Sequence, residues 1–418
     1  MPSLPRILAI MGSGETAPTM VSTHQELFSL LPASARAVLI ETPYGFQENA
    51  DEISHRTATY FAHNVGRAIE VVGMRTDAAA DDAAAVAQLQ TADYVFAGPG
   101  SPTYALERWR GSAFADVVTD KLRTGGIVVF ASAAAVGLGS HAVPVYEIYK
   151  VGRPPHWVEG LDLLAAAGID AAVVPHFDNA EGGTHDTRFC YLGARRLTVM
   201  EEDLPEDTFV IGVDEHTALI LDLDERTVTT HGRGYVTVRR GGRVLRVVDS
   251  GTRLTLDALT ASRGAAPPAP VETKAPTPGG NGVPAPSTST LREAARAATT
   301  AFDAALARRD GAAAATAILD LDAAITAWAA DTTQSDEGDR ARSTLRGLIV
   351  RLGGVATQGL ADPAERFAPL IDTVVGARQQ LRGQGAYGLA DDLRDAVDAV
   401  GVELRDTPDG TTWRVVSD

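Results

Sequence analysis

Residues 263–290 read RGAAPPAPVETKAPTPGGNGVPAPSTST. Proline, glycine and serine dominate this stretch, and it holds no apolar run that a core could bury. A chain interrupted in this way folds as separate bodies on either side. The expected organisation is a domain over 1–260, a semi-extended flexible linker over 261–290 and a second domain over 291–418. The length of 418 residues fits two or three domains, and each flank is long enough to bury a core.

Before the linker, short apolar runs alternate with helical patterns. The expected strands are ILAIMG, AVLIETP, AIEVVGM, YVFAGPG, IVVFAS, AAVVPHF, FVIGVDE and TALILDL. These runs are nearly continuous in apolar residues, as strands buried on both faces are. AAAVAQLQTA and AFADVVTDKLRTG between them have helical spacing. The alternation predicts an α/β fold with a doubly wound, largely parallel sheet. The stretch TVTTHGRGYVTVRRGGRVLRVVDSGTRLTL alternates with period two and predicts an antiparallel hairpin at a sheet edge. After the linker, LREAARAATTAFDAALARRD, AAAATAILDLDAAITAWAADT, ARSTLRGLIVRLGGVA and FAPLIDTVVGARQQLRGQ carry apolar residues three and four apart. They predict a small α-helical domain.

The formal net charge of −17 opposes broad binding to nucleic acid or an anionic membrane, since both require a basic surface. A single cysteine, Cys190, builds neither a disulfide framework nor a multi-cysteine metal site, and it suits a reducing compartment. The N-terminal apolar run is too short for a signal peptide, and no run has the length of a membrane helix. The expected location is the cytoplasm. No metal or organic cofactor is expected.

In open α/β sheets ligands bind at the carboxyl ends of the strands. After IVVF come Ala131, Ser132, Ala133 and Ala134. A serine among small residues at a strand-to-helix turn has the layout of a nucleophile elbow, with backbone N–H groups beside it for an oxyanion. An ordinary helix-capping serine satisfies the same pattern. After YVFA comes Gly98-Pro99-Gly100-Ser101, a turn that supplies a second oxyanion donor or simply reverses the chain. After AAVV comes Pro175-His176-Phe177-Asp178-Asn179-Ala180-Glu181, which places a histidine for general-base work, or for a structural bond, among polar neighbours. Arg188, just beyond, suits a substrate carboxylate or an ion pair. After FVIGV come Asp214 and Glu215, either of which could orient His176. Gly12-Ser13-Gly14-Glu15-Thr16 and Glu41-Thr42-Pro43-Tyr44 fall at the same edge; Gly12-x-Gly14 lacks the third glycine of a dinucleotide fingerprint.

The ordered series FAGPGSPTYAL, FASAAAVGLG, VVPHFDNAEGG and VIGVDEHTAL resembles the peptidase E and cyanophycinase family, a branch of the class I glutamine-amidotransferase-like fold, over roughly residues 5–250. The resemblance implies a serine-type hydrolase of small peptides or amides. It puts the nucleophile at Ser132, the base at His176, the orienting acid at Glu215 and the oxyanion N–H groups at Gly100 and Ala133. Ser101, Asp178, Asn179, Glu181 and Arg188 are the expected substrate-binding residues. The family usually has glycines flanking the elbow serine, where this chain has Ala131 and Ala134, and Pro99 and Pro102 alter the family's Gly-Gly-Asn-Thr turn. By analogy, a homodimer is expected at most.

The chain end, Gly401-Val402-Glu403-Leu404-Arg405-Asp406-Thr407-Pro408-Asp409-Gly410-Thr411-Thr412-Trp413, is similar to the C-terminal portion of cysteinyl-tRNA synthetases. The ATP-binding signatures of a synthetase are missing, so aminoacylation is not expected. From residue 291 onward there are 14 Arg, no Lys and 20 acidic residues, a net of −6 that disfavours tRNA phosphates. A protein-interaction module is the expected role. All nine histidines lie at or before His231, which leaves the tail none for acid–base work.

Overall fold

A computed structural model describes residues 4–76, 82–181, 185–261, 290–328, 337–358, 363–407 and 410–416. Of the expected linker, all but Ala261 and Thr290 lies outside the described residues. The chain divides into two compact units, residues 1–291 with 324–339, and residues 292–323 with 340–418.

The first unit is built on an eight-stranded sheet. Its parallel half contains β1 (Arg6–Met11), β2 (Ala37–Ile40), β3 (Glu70–Val72), β4 (Tyr94–Ala97) and β5 (Gly126–Ala131) in the order β1-β5-β4-β2-β3. Side chains on a strand point alternately to the two faces. Along β1, Leu8 and Ile10 join one buried cluster, and Ile7, Ala9 and Met11 join another. Both faces are therefore covered, which is why these runs read as unbroken apolar segments. Helices Ala83–Thr91 and Ala113–Thr124 form where helical spacing predicts them. On the other flank, β10 (Thr217–Asp222), β11 (Thr227–Gly232) and β14 (Arg253–Thr255) continue the sheet antiparallel.

The expected late strands do not all join this sheet. β6 (His141–Ala142), β7 (Val158–Glu159), β8 (Ala171–Val174), β9 (Phe209–Val213), β12 (Tyr235–Arg240) and β13 (Arg243–Asp249) form a second one, ordered β13-β12-β9-β8-β6-β7. Only residues 214–216 separate β9 from β10, a hairpin-like spacing, yet the two strands lie in different sheets. An apolar run records that a strand is buried and not which strand it pairs with. The period-two stretch expected as one edge hairpin divides between the sheets: β12–β13, turned by Gly241 and Gly242 at positive φ, is the hairpin at the edge of the second sheet, while β11 and β14 pair in the first.

A polar side chain sits inside this core. His24 is fully buried, donates through Nε2 to the Glu15 carbonyl (2.7 Å) and accepts the Tyr94 hydroxyl at Nδ1 (2.7 Å). Rings of Phe61 and Phe96 lie edge-on to it. Burial, partly opposed by the bond to Glu15, lowers its pKa to about 4 from 6.5. Between those values the unfolded chain takes up a proton that the folded chain refuses. Stability is thus lost as pH falls from about 6.5 toward 4, by up to roughly 3 kcal/mol. Unfolding midpoints from pH 7 to 4 should fall more steeply in the wild type than in His24→Gln; parallel slopes would refute this.

The second unit holds helix Glu337–Gln358 from Arg340 onward, Pro363–Gly383 and Tyr387–Asp398, followed by the hairpin of β15 (Val402–Thr407) and β16 (Gly410–Val415). Ile371, Val375, Val397, Val402 and Leu404 make its core, with Trp413 packed on it. Trp413 Nε1 donates to Asp372 (2.8 Å), and Asp406 receives the buried Arg378 guanidinium through two bonds (2.7 and 3.0 Å). Pro408 and Asp409 of the motif lie outside the described residues. No helix among the described residues is long and apolar enough to cross a membrane.

Candidate active site

Strand β5 ends at Ala131 in extended conformation (φ −124°), and Ser132 then turns to φ +48° at the head of helix Ser132–Val136. A left-handed conformation costs a residue with a Cβ about 1–2 kcal/mol. Such strain at a half-buried serine between strand and helix is the geometry of a nucleophile elbow. The alanines that replace flanking glycines fit because the space is small but sufficient: Ala131 and Ala134 are fully buried, and Ala134 N–H donates to the Gly98 carbonyl (3.2 Å).

Ser132 Oγ lies 2.9 Å from His176 Nε2, and His176 Nδ1 lies 2.9 Å from Glu215 Oε1. An ionised carboxylate only accepts, so Nδ1 carries the proton and Nε2 is left bare to accept the serine O–H. Burial works against the His176 imidazolium, but the bond and charge of Glu215, joined by Glu15 and Glu181, outweigh it and raise its pKa. Burial likewise opposes the Glu215 charge, but His176, Asn179 and His216 overcome it and bring its pKa down to about 2. The pair is arranged to hold a proton on His176.

Of the two acids after β9, it is Glu215 that reaches His176. Asp214 turns to β12 and accepts Tyr235 N–H (2.8 Å); burial, with Asp178 and Glu215 nearby, pushes its pKa up to about 7. The residues expected to bind substrate have partners of their own. Asp178 Oδ1 accepts Glu215 N–H (2.7 Å), and Asn179 Nδ2 donates to Glu215 Oε1 (3.0 Å). Glu181 accepts the Tyr191 hydroxyl (3.0 Å). Arg188 forms a paired contact with Asp186 (2.8 and 2.9 Å). Ser101 caps helix Pro102–Trp109 by accepting Tyr104 N–H (3.2 Å). Gly182 and Gly183 lie outside the described residues.

Gly100 has φ +138°, and a Cβ there would lie 2.0 Å from the Pro43 carbonyl oxygen. The Glu41–Tyr44 segment therefore underlies the turn beside the elbow. The Gly12-Ser13-Gly14 segment faces the acid turn: a Cβ at Gly12 would meet Asp214 O at 2.0 Å, and one at Gly14 would meet His216 Nδ1 at 2.0 Å.

Sequence reasoning missed the wall beside the histidine. Phe189, Cys190 and Tyr191 are three consecutive non-glycine residues at positive φ. Phe189 N–H and Cys190 N–H donate to the carbonyls of Phe177 and His176 (3.0 and 3.2 Å), and the Tyr191 ring lies 6.0 Å from that of His176. Tyr149 packs on Tyr191 at 5.3 Å, which links the segment after the elbow helix to the site. No local residue pattern announces a left-handed turn without glycine. No group of three or more His, Cys, Asp or Glu suited to a metal ion occurs among the described residues.

The fold agrees with a solved relative. A peptidase from an acI-B1 Actinobacterium matches with a TM-score of 0.51 and 21% identity, over 60% of this chain and 98% of that one. A proposed peptidase E protein from Listeria monocytogenes EGD-e matches with a TM-score of 0.38 and 14% identity, over 55% of this chain. The chain also resembles cysteine–tRNA ligases at its C-terminal end. That of Haloarcula marismortui is 36% identical over 134 residues, and that of Halobacterium salinarum 51% over 45. Those matches cover 26% and 9% of the ligases, so the chain spans about a quarter of their length or less. No family model matches.

Proposed function

We propose that the first unit is a serine-type hydrolase of small peptide or amide substrates. The observation that carries this reading is the Ser132–His176–Glu215 relay at the strand ends, with two 2.9 Å links and the serine at positive φ. Ser132 Oγ attacks the carbonyl carbon while its proton passes to His176 Nε2. Glu215 stabilises the imidazolium that forms. The N–H groups of Gly100 and Ala133 hold the oxyanion. Collapse breaks the C–N bond, and His176 returns the proton to the leaving amine. Water then attacks the acyl-serine with His176 as base, releasing the acid and restoring the serine. Ser101, Asp178, Glu181 and Arg188 remain the candidate substrate contacts; Asn179 is fully buried. The exposed Arg188 guanidinium suits a substrate carboxylate if it exchanges its Asp186 partner.

For the second unit we propose a partner-binding role, with protein favoured over tRNA by its net acidic charge. A homodimer of the whole chain is the proposed assembly.

A fluorophosphonate probe tests the hydrolase reading. Ser132 should be labelled in the wild type and label should vanish in Ser132→Ala. His176→Ala should label at least 100-fold more slowly, the usual worth of a general base. Label retained by Ser132→Ala refutes the proposal.

A further inference from the structure

The acid of the relay is held by the loop that carries the base. Three residues beyond His176, Asn179 is fully buried, and its side chain spans two groups. Its Nδ2 donates to Glu215 Oε1 (3.0 Å), the same oxygen that takes the His176 Nδ1 proton, and its Oδ1 accepts Glu181 N–H (3.2 Å). Its own N–H donates to the His176 carbonyl (3.2 Å). The neighbouring Asp178 fixes the acid from the other end, at the Glu215 backbone N–H (2.7 Å).

A glutamate side chain has three rotatable bonds, so one hydrogen bond to an imidazole does not fix its carboxylate plane. Two donors on one oxygen do. We propose that Asn179 is a positioning residue of the relay, aiming Glu215 Oε1 at His176. The proposal rests on the Ser-His-Glu reading above and assigns Asn179 to the acid instead of the substrate.

The side chain's chemistry makes the proposal testable. In Asn179→Asp the shape and the Oδ1 acceptor for Glu181 N–H are kept. A protonated Asp also keeps a donor toward Glu215, because its O–H replaces the amide N–H. Two carboxyls on one oxygen cannot both ionise cheaply, so the pair shares a proton until the pH is high enough to remove it. Loss of that proton turns the contact repulsive and drives Glu215 off His176. The other titratable groups facing Glu215 are His176, Asp178, Asp214, His216, Cys190 and Tyr191, with Glu15 and Glu181 acting on His176. All of them are present in the wild type, so a limb found only in the variant belongs to the new carboxyl.

The experiment is the rate of Ser132 labelling by a fluorophosphonate across pH, using the full chain. Asn179→Ala should be slowed roughly 10- to 100-fold at every pH, the scale of a small misplacement of a reacting group. Asn179→Asp should be fastest on the acid side and fall as pH rises, where the wild type is on its plateau. If Asn179→Ala does not fold, the isosteric Asn179→Asp carries the test. Wild-type rates and an unchanged profile in Asn179→Asp overturn the proposal and leave the relay standing. A uniform loss with no descending limb also overturns it, since it marks a loop-folding role. Failure of the wild type to label at Ser132 removes the relay and this proposal with it.

Discussion

Replacing Glu215 with glutamine should slow phosphonylation of Ser132 by about 10²- to 10³-fold and move the acid limb of the rate profile to lower pH. In the Ser-His-Asp template, acid-to-amide replacement costs about 10⁴-fold because the amide presents N–H to the imidazole and fixes the wrong tautomer. Here Asn179 Nδ2 stands 3.0 Å from the same oxygen that faces His176. A donor at that place selects the carboxamide oxygen, so the His176 tautomer is kept and the loss is mostly that of the charge. The shift of the limb has a clear sign. Burial opposes the imidazolium, and the Glu215 bond and charge lead the groups that reverse it. Without that charge burial regains weight, His176 binds its proton less tightly, and the protonated form appears at lower pH. Rates within 10-fold of the wild type with an unmoved limb would exclude Glu215 from the relay. Rate constants for the probe, measured from pH 5 to 9, give both quantities.

What was legible in the sequence follows the physics that writes it. β1, β2, β4 and β5 lie buried on both faces, and that condition forces unbroken apolar runs. The rule that ligands gather at strand carboxyl ends points to Ser132, His176 and Glu215, each one or two residues past a strand. Pairing was not legible, because hydrogen bonds between backbones leave no mark on side-chain identity. The split between β9 and β10 is the clearest case. β6 and β7, two residues each, are too short to show any period. The partners of Asp178 and Asn179 were hidden for a related reason: a polar residue near a site reads the same whether it faces a substrate or steadies a neighbour. The turn at Phe189–Tyr191 stayed hidden because left-handed backbone normally advertises itself through glycine or asparagine, and this one has neither. Its carbonyl partners at His176 and Phe177 show what the strained turn is coupled to.

Gly12 should not tolerate a side chain, although it lies outside the relay. In the sequence Gly12-x-Gly14 lacks the third glycine of a dinucleotide fingerprint, and the structure gives its glycines a different cause. Gly12 N–H donates to the Thr217 carbonyl (2.9 Å), and its own carbonyl accepts His176 N–H (3.3 Å). The end of β1 thus touches both the turn that carries Glu215 and the residue that carries the base. A methyl group at Gly12 would lie 2.0 Å from Asp214 O and 2.5 Å from Val213 O, both backbone atoms with no flexible end to yield. Overpacking usually costs 1–3 kcal/mol, and a clash with two carbonyls belongs at or above the top of that range, about 3 kcal/mol. The relief available is displacement of residues 213–215, which moves Glu215 relative to His176. Gly12→Ala should therefore unfold at a lower denaturant concentration and label at Ser132 about 100-fold more slowly. Gly73→Ala is the control, because its Cβ would meet nothing closer than Glu41 Oε1 at 3.9 Å. Loss of stability with wild-type labelling would mean that the acid turn and the His176 loop shift together as one body, with Asp178 and Asn179 holding them in register. Loss of both would show that β1 is the fixed reference against which acid and base are set.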